Sequence, residues 1–202
     1  MLKSTRQQYH QQIAQVLEER FPETKETQPE LVAHHYTEAG LIAQAISYWQ
    51  QAGERASARS ANIEAIGHLT KGLEVLQTLP DTPERAQREL TLQLALAWPL
   101  TATKGEGAPE VGQTFIRAHE LCQQIGETPQ LFAVLRGLWN FYLVRAEYKT
   151  ARETAEQFLL LAQQLQDPTF LLGAHEQMGF LSFWPAEWMA AREHHEQAIT
   201  LL

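Results

Sequence analysis

The side chains of this 202-residue chain best suited to holding a metal or moving a proton are its eight histidines and one cysteine. Adjacent histidines occur at His34-His35 and His194-His195. Neighbours on a helix point about 100 degrees apart, so each pair offers at most one ligand to a given ion, and no His-Glu-x-x-His is present. The pattern predicts one packed and one solvated imidazole in each pair, and no metal or cofactor site. Cys122 follows Ala118 by one helical turn on an apolar face, and no histidine lies where helix geometry would make it the base for a thiol nucleophile. A buried, inert thiol is expected. A nucleotide site needs a glycine-rich loop ending in Gly-Lys-Ser/Thr, whose amides cradle phosphates. The nearest approach, Lys104-Gly105-Glu106-Gly107, sets a carboxylate where a phosphate would sit, so it reads as a loop between helices. Carboxylates mostly pair with Lys, Arg or Gln at helical spacing, as Glu84 does with Arg88 and Glu147 with the Ala151-Arg152 step. No two acids stand isolated in an apolar stretch where burial would raise a pKa for acid catalysis. With no acid, base and nucleophile assembled, the expectation is a protein that is not an enzyme and has no catalytic residues.

Composition narrows the remaining classes. Hydrophobic residues make up 44% of the chain and charged ones 20%, enough for a continuous core. Sixteen Lys and Arg against twenty-four Asp and Glu give a formal charge of -8, with no segregated basic stripe. That balance repels phosphate backbones and anionic lipid, so neither nucleic acid nor membrane is an expected partner. The longest apolar run, Phe158 to Ala162, falls far short of the roughly 20 residues that cross a bilayer. Met1 to His10 lacks the apolar core of a secretory signal, and one cysteine closes no internal disulfide, which together predict a cytoplasmic protein.

Positioning falls to helices. Between the glycines and prolines run stretches rich in Ala, Leu, Gln and Glu, with apolar residues recurring at three and four. The pattern predicts an all-α chain of about ten helices: Ser4 to Arg20, Pro29 to Ala39, Ile42 to Arg59, Ile63 to Thr78, Pro83 to Ala102, Pro109 to Ile125, Pro129 to Arg145, Tyr148 to Gln166, Pro168 to Phe183 and Glu187 to Leu202. Thr82-Pro83, Thr128-Pro129 and Asp167-Pro168 each place a capping oxygen before a proline, and each is expected to open a helix.

The chain also resembles itself. AEYKTARETAEQF at Ala146 to Phe158 returns as AEWMAAREHHEQA at Ala186 to Ala198, forty positions later. The same shift aligns Leu121, Leu161 and Leu201, then Trp98, Leu138 and Met178, giving three units of about forty residues over 81–202 behind N-terminal helices in 1–80. A fixed period of this length indicates stacked helix pairs, none able to bury its apolar face alone. Leu135, Leu138, Trp139 and Tyr142 share one face of a first helix, opposite Ala151, Ala155 and Phe158 on a second; His175, Met178, Gly179 and Ser182 repeat it opposite Ala191, His195 and Ala198. Tyr36, Ala45, Trp49 and Ala52 form one N-terminal frame; Trp49, Ala52, Gly53, Ala56, Ala65, Leu69 and Gly72 form another, so Trp49 serves both.

This spacing resembles the tetratricopeptide repeat (TPR), with units nearer forty than that family's roughly 34 residues and with Trp139, Ser182 and His195 replacing its small, Tyr and aromatic choices. More narrowly, VAHHYTEAGLIAQAISYWQQAGERA at Val32 to Ala56 and ANIEAIGHLTKGLEVL at Ala61 to Leu76, with Thr103-Lys104-Gly105, Arg117-Ala118 and Leu121, resemble the helical region behind the ATPase module of bacterial STAND-type or adenylate-cyclase-linked predicted ATPases. The resemblance implies one TPR-like α-solenoid domain, a right-handed superhelix of antiparallel helix pairs, truncated from a larger signalling protein. The apolar Leu201-Leu202 terminus, without a helix stop, agrees with a fragment.

In the resembled family the first helix of each unit lines a concave groove, at offsets that select Arg136, Asn140 and Leu143, then Glu176, Phe180, Phe183 and Trp184. Aromatic anchors with a neighbouring arginine suit an interface. The expected function is a protein-interaction and regulatory scaffold that holds a peptide segment, or another domain of the same polypeptide. The alternative is a small-molecule effector sensor in which Glu176 and the aromatics at 180–184 enclose the ligand.

Overall fold

The computed structural model describes residues 2–126, 129–183 and 188–201. All the regular structure among them is helical: α1 (Leu2–Arg20), α2 (Pro22–Thr27), α3 (Pro29–Ala39), α4 (Ile42–Ala58), α5 (Asn62–Leu76), α6 (Pro83–Lys104), α7 (Pro109–Ile125), α8 (Leu131–Val144), α9 (Tyr148–Leu165), α10 (Pro168–Phe183) and α11 (Trp188–Thr200). Ten of these are the expected helices, with ends shifted by a few residues at most. The additional one, α2, is a six-residue turn of helix with no buried residue.

Two of the three proline starts form as the chemistry requires. Thr82 Oγ1 accepts from the Arg85 amide at 3.2 Å, and Asp167 Oδ1 accepts from the amides of Thr169 at 2.8 Å and Phe170 at 3.3 Å. The third differs. Thr128 lies outside the described residues, Pro129 and Gln130 form a turn, and the helix begins at Leu131 with Gln130 as its cap. Proline's fixed φ suits the second position of a turn as well as the first position of a helix, so the residue alone does not choose between them.

The chain divides into two compact units, residues 1–105 and 106–202. The sequence pattern places an internal boundary near residue 80 and groups Pro83 to Ala102 with the later repeats. In the structure α6 packs on α5 and α4 and belongs to the first unit, with the boundary at the Gly105 to Gly107 loop.

Within the first unit, α1 packs on α3, α3 on α4, α4 on α5 and α5 on α6, while α4 also touches α6 directly. Successive helices therefore alternate between two layers, and α4 and α6 are neighbours in one of them. Trp49 does serve two frames: its indole N–H donates to Thr37 Oγ1 at 3.0 Å on α3, and its ring stacks on His68 of α5 with centroids 5.7 Å apart. Trp49 closes a core of Ala14, Val32, Ala33, Tyr36, Ala45 and Tyr48. The hydroxyls of Tyr36 and Tyr48 both donate to the Glu18 carboxylate. Burial, then the bond to Glu18, holds both phenols far above their ordinary pKa. The close helix approach expected at small residues is seen at Gly53, where an added Cβ would overlap Leu69.

The second unit repeats the alternation, α7 on α8, α8 on α9, α9 on α10 and α10 on α11. Phe132 and Leu135 of α8 meet Phe158 and Ala162 of α9 and Ala174 of α10. Ala151, Ala155, Met178 and Leu181 form an adjoining cluster against which Trp139, Tyr142 and Leu143 pack. Gly112 sits under Phe141 and Gly137 under Phe115, a reciprocal pair of contacts between α7 and α8 that leaves no room for a side chain at either glycine.

Candidate functional site

The helix face left over after the core is built decides what this fold can hold. On α8 the core takes Phe132, Val134, Leu135, Leu138 and Phe141, leaving Arg136 exposed and Asn140 half-buried one turn further on. Asn140 Nδ2 donates to Glu106 Oε1 at 3.4 Å, which ties its amide to the loop before α7. Leu143 is half-buried against the Ala151–Met178 cluster, so most of its side chain is committed to packing. On α10, Glu176 and Phe180 are exposed one turn apart. Phe180 keeps 46% of its surface and meets Trp139 edge to face at 6.1 Å. The structure thus links the α8 and α10 candidates through Trp139, whose indole nitrogen is buried without a hydrogen-bond partner among the described residues. The side chain of Phe183 and the whole of Trp184 lie outside the described residues.

A second surface escapes the sequence pattern. The forty-residue register aligns Trp98 with Leu138 and Met178. Those two are buried, at 5% and 7%, whereas Trp98 is 69% exposed. Helix geometry gives the reason. In α6 the buried side is filled by Ala86, Glu89, Leu90, Leu92, Leu96, Ala97, Pro99 and Leu100. At about 100 degrees per residue, Trp98 points away from that side, on a second stripe with Thr91, Leu94 and Ala95 at spacings of three and four. A helix with two such stripes fills the core with one and has the other to spare, and this is the signal that identifies Trp98.

Opposite that stripe stands α4. Glu54, Ser57 and Ala58 from α4, with Leu94, Ala95 and Trp98 from α6, line an open groove of about 390 Å³. Ser57 contributes an unusual hydroxyl. Ser47, Thr91 and Thr101 turn theirs back to the carbonyl four residues earlier, at 3.2, 3.0 and 2.8 Å. Ser57 Oγ instead is buried with no hydrogen-bond partner among the described residues. Glu54 is the one charged residue lining the groove, and one carboxylate oxygen accepts from Gln50 Nε2 at 2.7 Å.

The polar candidates for chemistry fall out differently. His34 is exposed and His35 half-buried, its Nδ1 lying 2.9 Å from His10 Nδ1. His194 pairs likewise with His175 at 3.1 Å, while His195, though exposed, lays its ring over Gly179. Burial first, then the neighbouring imidazole, lowers the pKa of His35 and His175; burial also lowers that of His194. No group of three His, Cys, Asp or Glu side chains among the described residues is placed to hold a metal ion. Cys122 is buried, and burial pushes its thiol pKa up, away from a reactive thiolate. No described helix is long and apolar enough to cross a membrane.

No family model matches the chain, and no curated protein does. Among solved structures, it is similar to the nearly identical TPR-like repeats of a protein described as a kinesin light chain from Podosopora anserina. The two share 15% identity over 98% of this chain and 95% of that one, with a TM-score of 0.63. At that identity the likeness concerns the fold, and with the all-helical, alternating packing it establishes a TPR-like helical repeat of the α-solenoid class.

Proposed function

We propose that this chain is a protein-interaction module, without catalytic chemistry of its own, that holds a partner segment against neighbouring helices of one layer: α4 and α6 in the first unit, α8 and α10 in the second. One observation carries the reading. Trp98, the residue type most enriched at binding hot spots, stands mostly exposed in a groove while the core beside it is complete. In the second unit Arg136, Asn140, Glu176 and Phe180, with the remaining surface of Leu143, form the corresponding surface. The open form of the Trp98 groove favours a peptide over a small effector, which binds best when most of its surface is enclosed. The likeness of Val32 to Ala56 and Ala61 to Leu76 to the helical regions of bacterial signalling ATPases supports a regulatory, cytoplasmic role within such a protein, with a neighbouring domain as a further candidate partner.

The test is selection of displayed peptides on the whole chain, followed by binding to Trp98→Ala and to Arg136→Ala/Phe180→Ala. Binders lost in either variant, with helicity and melting retained, support the module. An enriched set indifferent to both variants, or no enrichment, refutes it, and a metabolite that raises the melting temperature while selection stays blank favours a sensor.

A further inference from the structure

The groove between α4 and α6 has a chemical preference that can be read from its lining. We infer that it takes a basic amphipathic segment, one whose apolar side chain fills the space over Leu94, Ala95 and Ala58 while an Arg or Lys one turn away lies between the Trp98 ring and the Glu54 carboxylate. This rests on the groove being a docking surface, the reading proposed above, and adds the class of partner.

The groove floor is apolar, and its rim holds one charge, that of Glu54. Its Gln50 bond leaves lone pairs free, and no cation among the described residues pairs with it. The exposed indole face of Trp98 attracts a cation through its quadrupole, so an aromatic face and a carboxylate on one groove favour the same charge. An acidic side chain there would meet both repelled. Elsewhere in this unit an indole face already holds a cation, with Lys71 Nζ 5.0 Å from the centre of the Trp49 ring. Ser57 also lines the groove, with its Oγ buried and without a partner among the described residues. The wider field acts in the same sense: the chain carries twenty-four acidic side chains against sixteen basic ones, which steers a cationic segment toward it.

Fluorescence anisotropy with two labelled helical peptides decides the matter, one carrying Leu and Arg one turn apart and the other Leu and Glu, each titrated against the full chain and its Glu54→Gln and Trp98→Leu variants. The expected result is binding of the Leu/Arg peptide alone, weakened about two- to fivefold by Glu54→Gln, as for a single exposed ion pair, with that difference shrinking at high salt. Trp98→Leu, which keeps an apolar surface but removes the ring, weakens it further. Equal binding of both peptides, lost together in Trp98→Leu and unaffected by Glu54→Gln, would overturn the charge preference while leaving the docking groove standing. Binding of neither peptide also overturns it, and peptide selection on the same chain then reports separately on whether the groove docks anything.

Discussion

Trp49 and Trp98 lie in the same compact unit and separate core from surface in a single measurement. Trp49 is 5% exposed, donates its indole N–H to Thr37 and stacks on His68. Truncating it leaves a cavity between α3, α4 and α5, and Trp49→Ala is expected to cost about 3–5 kcal/mol, the range for large buried aromatics. Trp98 buries about a third of its side chain. A tryptophan buries up to roughly 250 Å² when enclosed, so about 80 Å² is at stake here; at about 25 cal/mol/Å² the loss in Trp98→Ala is at most about 2 kcal/mol. Urea unfolding followed by far-UV circular dichroism gives both values from one transition type. Trp49→Ala should shift the midpoint far more than Trp98→Ala. If the two variants lose equal stability, Trp98 occupies a core position after all, the aligned register with Leu138 and Met178 is right, and the argument that it is spare for a partner fails.

Three further outcomes follow from the packing and the titrating groups. Gly53→Ala places a methyl group into Leu69 and should destabilise by about 1–3 kcal/mol; combined with Leu69→Ala the two losses should fall short of additive, and strict additivity in urea midpoints would show that the helices are not in contact there. Thr82→Ala removes the acceptor for the Arg85 amide and should cost about 1 kcal/mol, whereas no change would mean that the cap is not formed in solution. His35, His119, His175 and His194 all have folded pKa values below the ordinary histidine value of 6.5, with burial as the first cause. The unfolded chain therefore binds more protons as pH falls. Stability is fully present above pH 6.5 and is lost as pH drops through that value toward the folded ones, with Glu38 opposing the shift at His35 and Glu193 that at His194. A urea midpoint that stays level or rises between pH 7.5 and 5 would contradict this.

What the sequence revealed follows from where its signals are physical and local. The starts at Pro83 and Pro168 were readable because a capping oxygen and a missing N–H solve the same problem at the same place. The small residues Gly53, Ala151 and Ala155 announced packing: an added Cβ at Gly53 would overlap Leu69, and Ala151 and Ala155 are buried with Met178. The short α2 gave no sign, since it buries nothing and so has no apolar period to detect. The turn at Pro129 looked like a helix start because proline favours both. Of the candidate surface, Arg136, Glu176 and Phe180, chosen by the resembled family's offsets, are exposed, whereas Asn140 and Leu143 are partly engaged because Glu106 and the Ala151–Met178 cluster approach them. Trp98 aligns with buried Leu138 and Met178 yet stays exposed, because a repeat register reports where copies align, whereas burial depends on which way each helix is turned about its own axis.

That last distinction bears on how such a fold acquires binding sites. A repeat unit fixes one stripe per helix for the core, and selection for stability acts on that stripe. In α6 it is complete without Trp98: Leu90, Leu96, Ala97 and Leu100 are buried around it. A large aromatic on the opposite stripe gains little from folding, since about two thirds of its surface stays in water. Its neighbours Thr91, Leu94 and Ala95 on the same side are half-buried, and the Ser57 hydroxyl across the groove is buried without a partner among the described residues. Each alone is an ordinary surface residue; side by side they form an apolar floor with a polar contact and one carboxylate. An apolar surface that folding leaves in water loses that exposure only when another molecule covers it. In the proposed docking function it is a departure from the repeat that meets the partner, Trp98 being the 69% exposed residue that lines the groove.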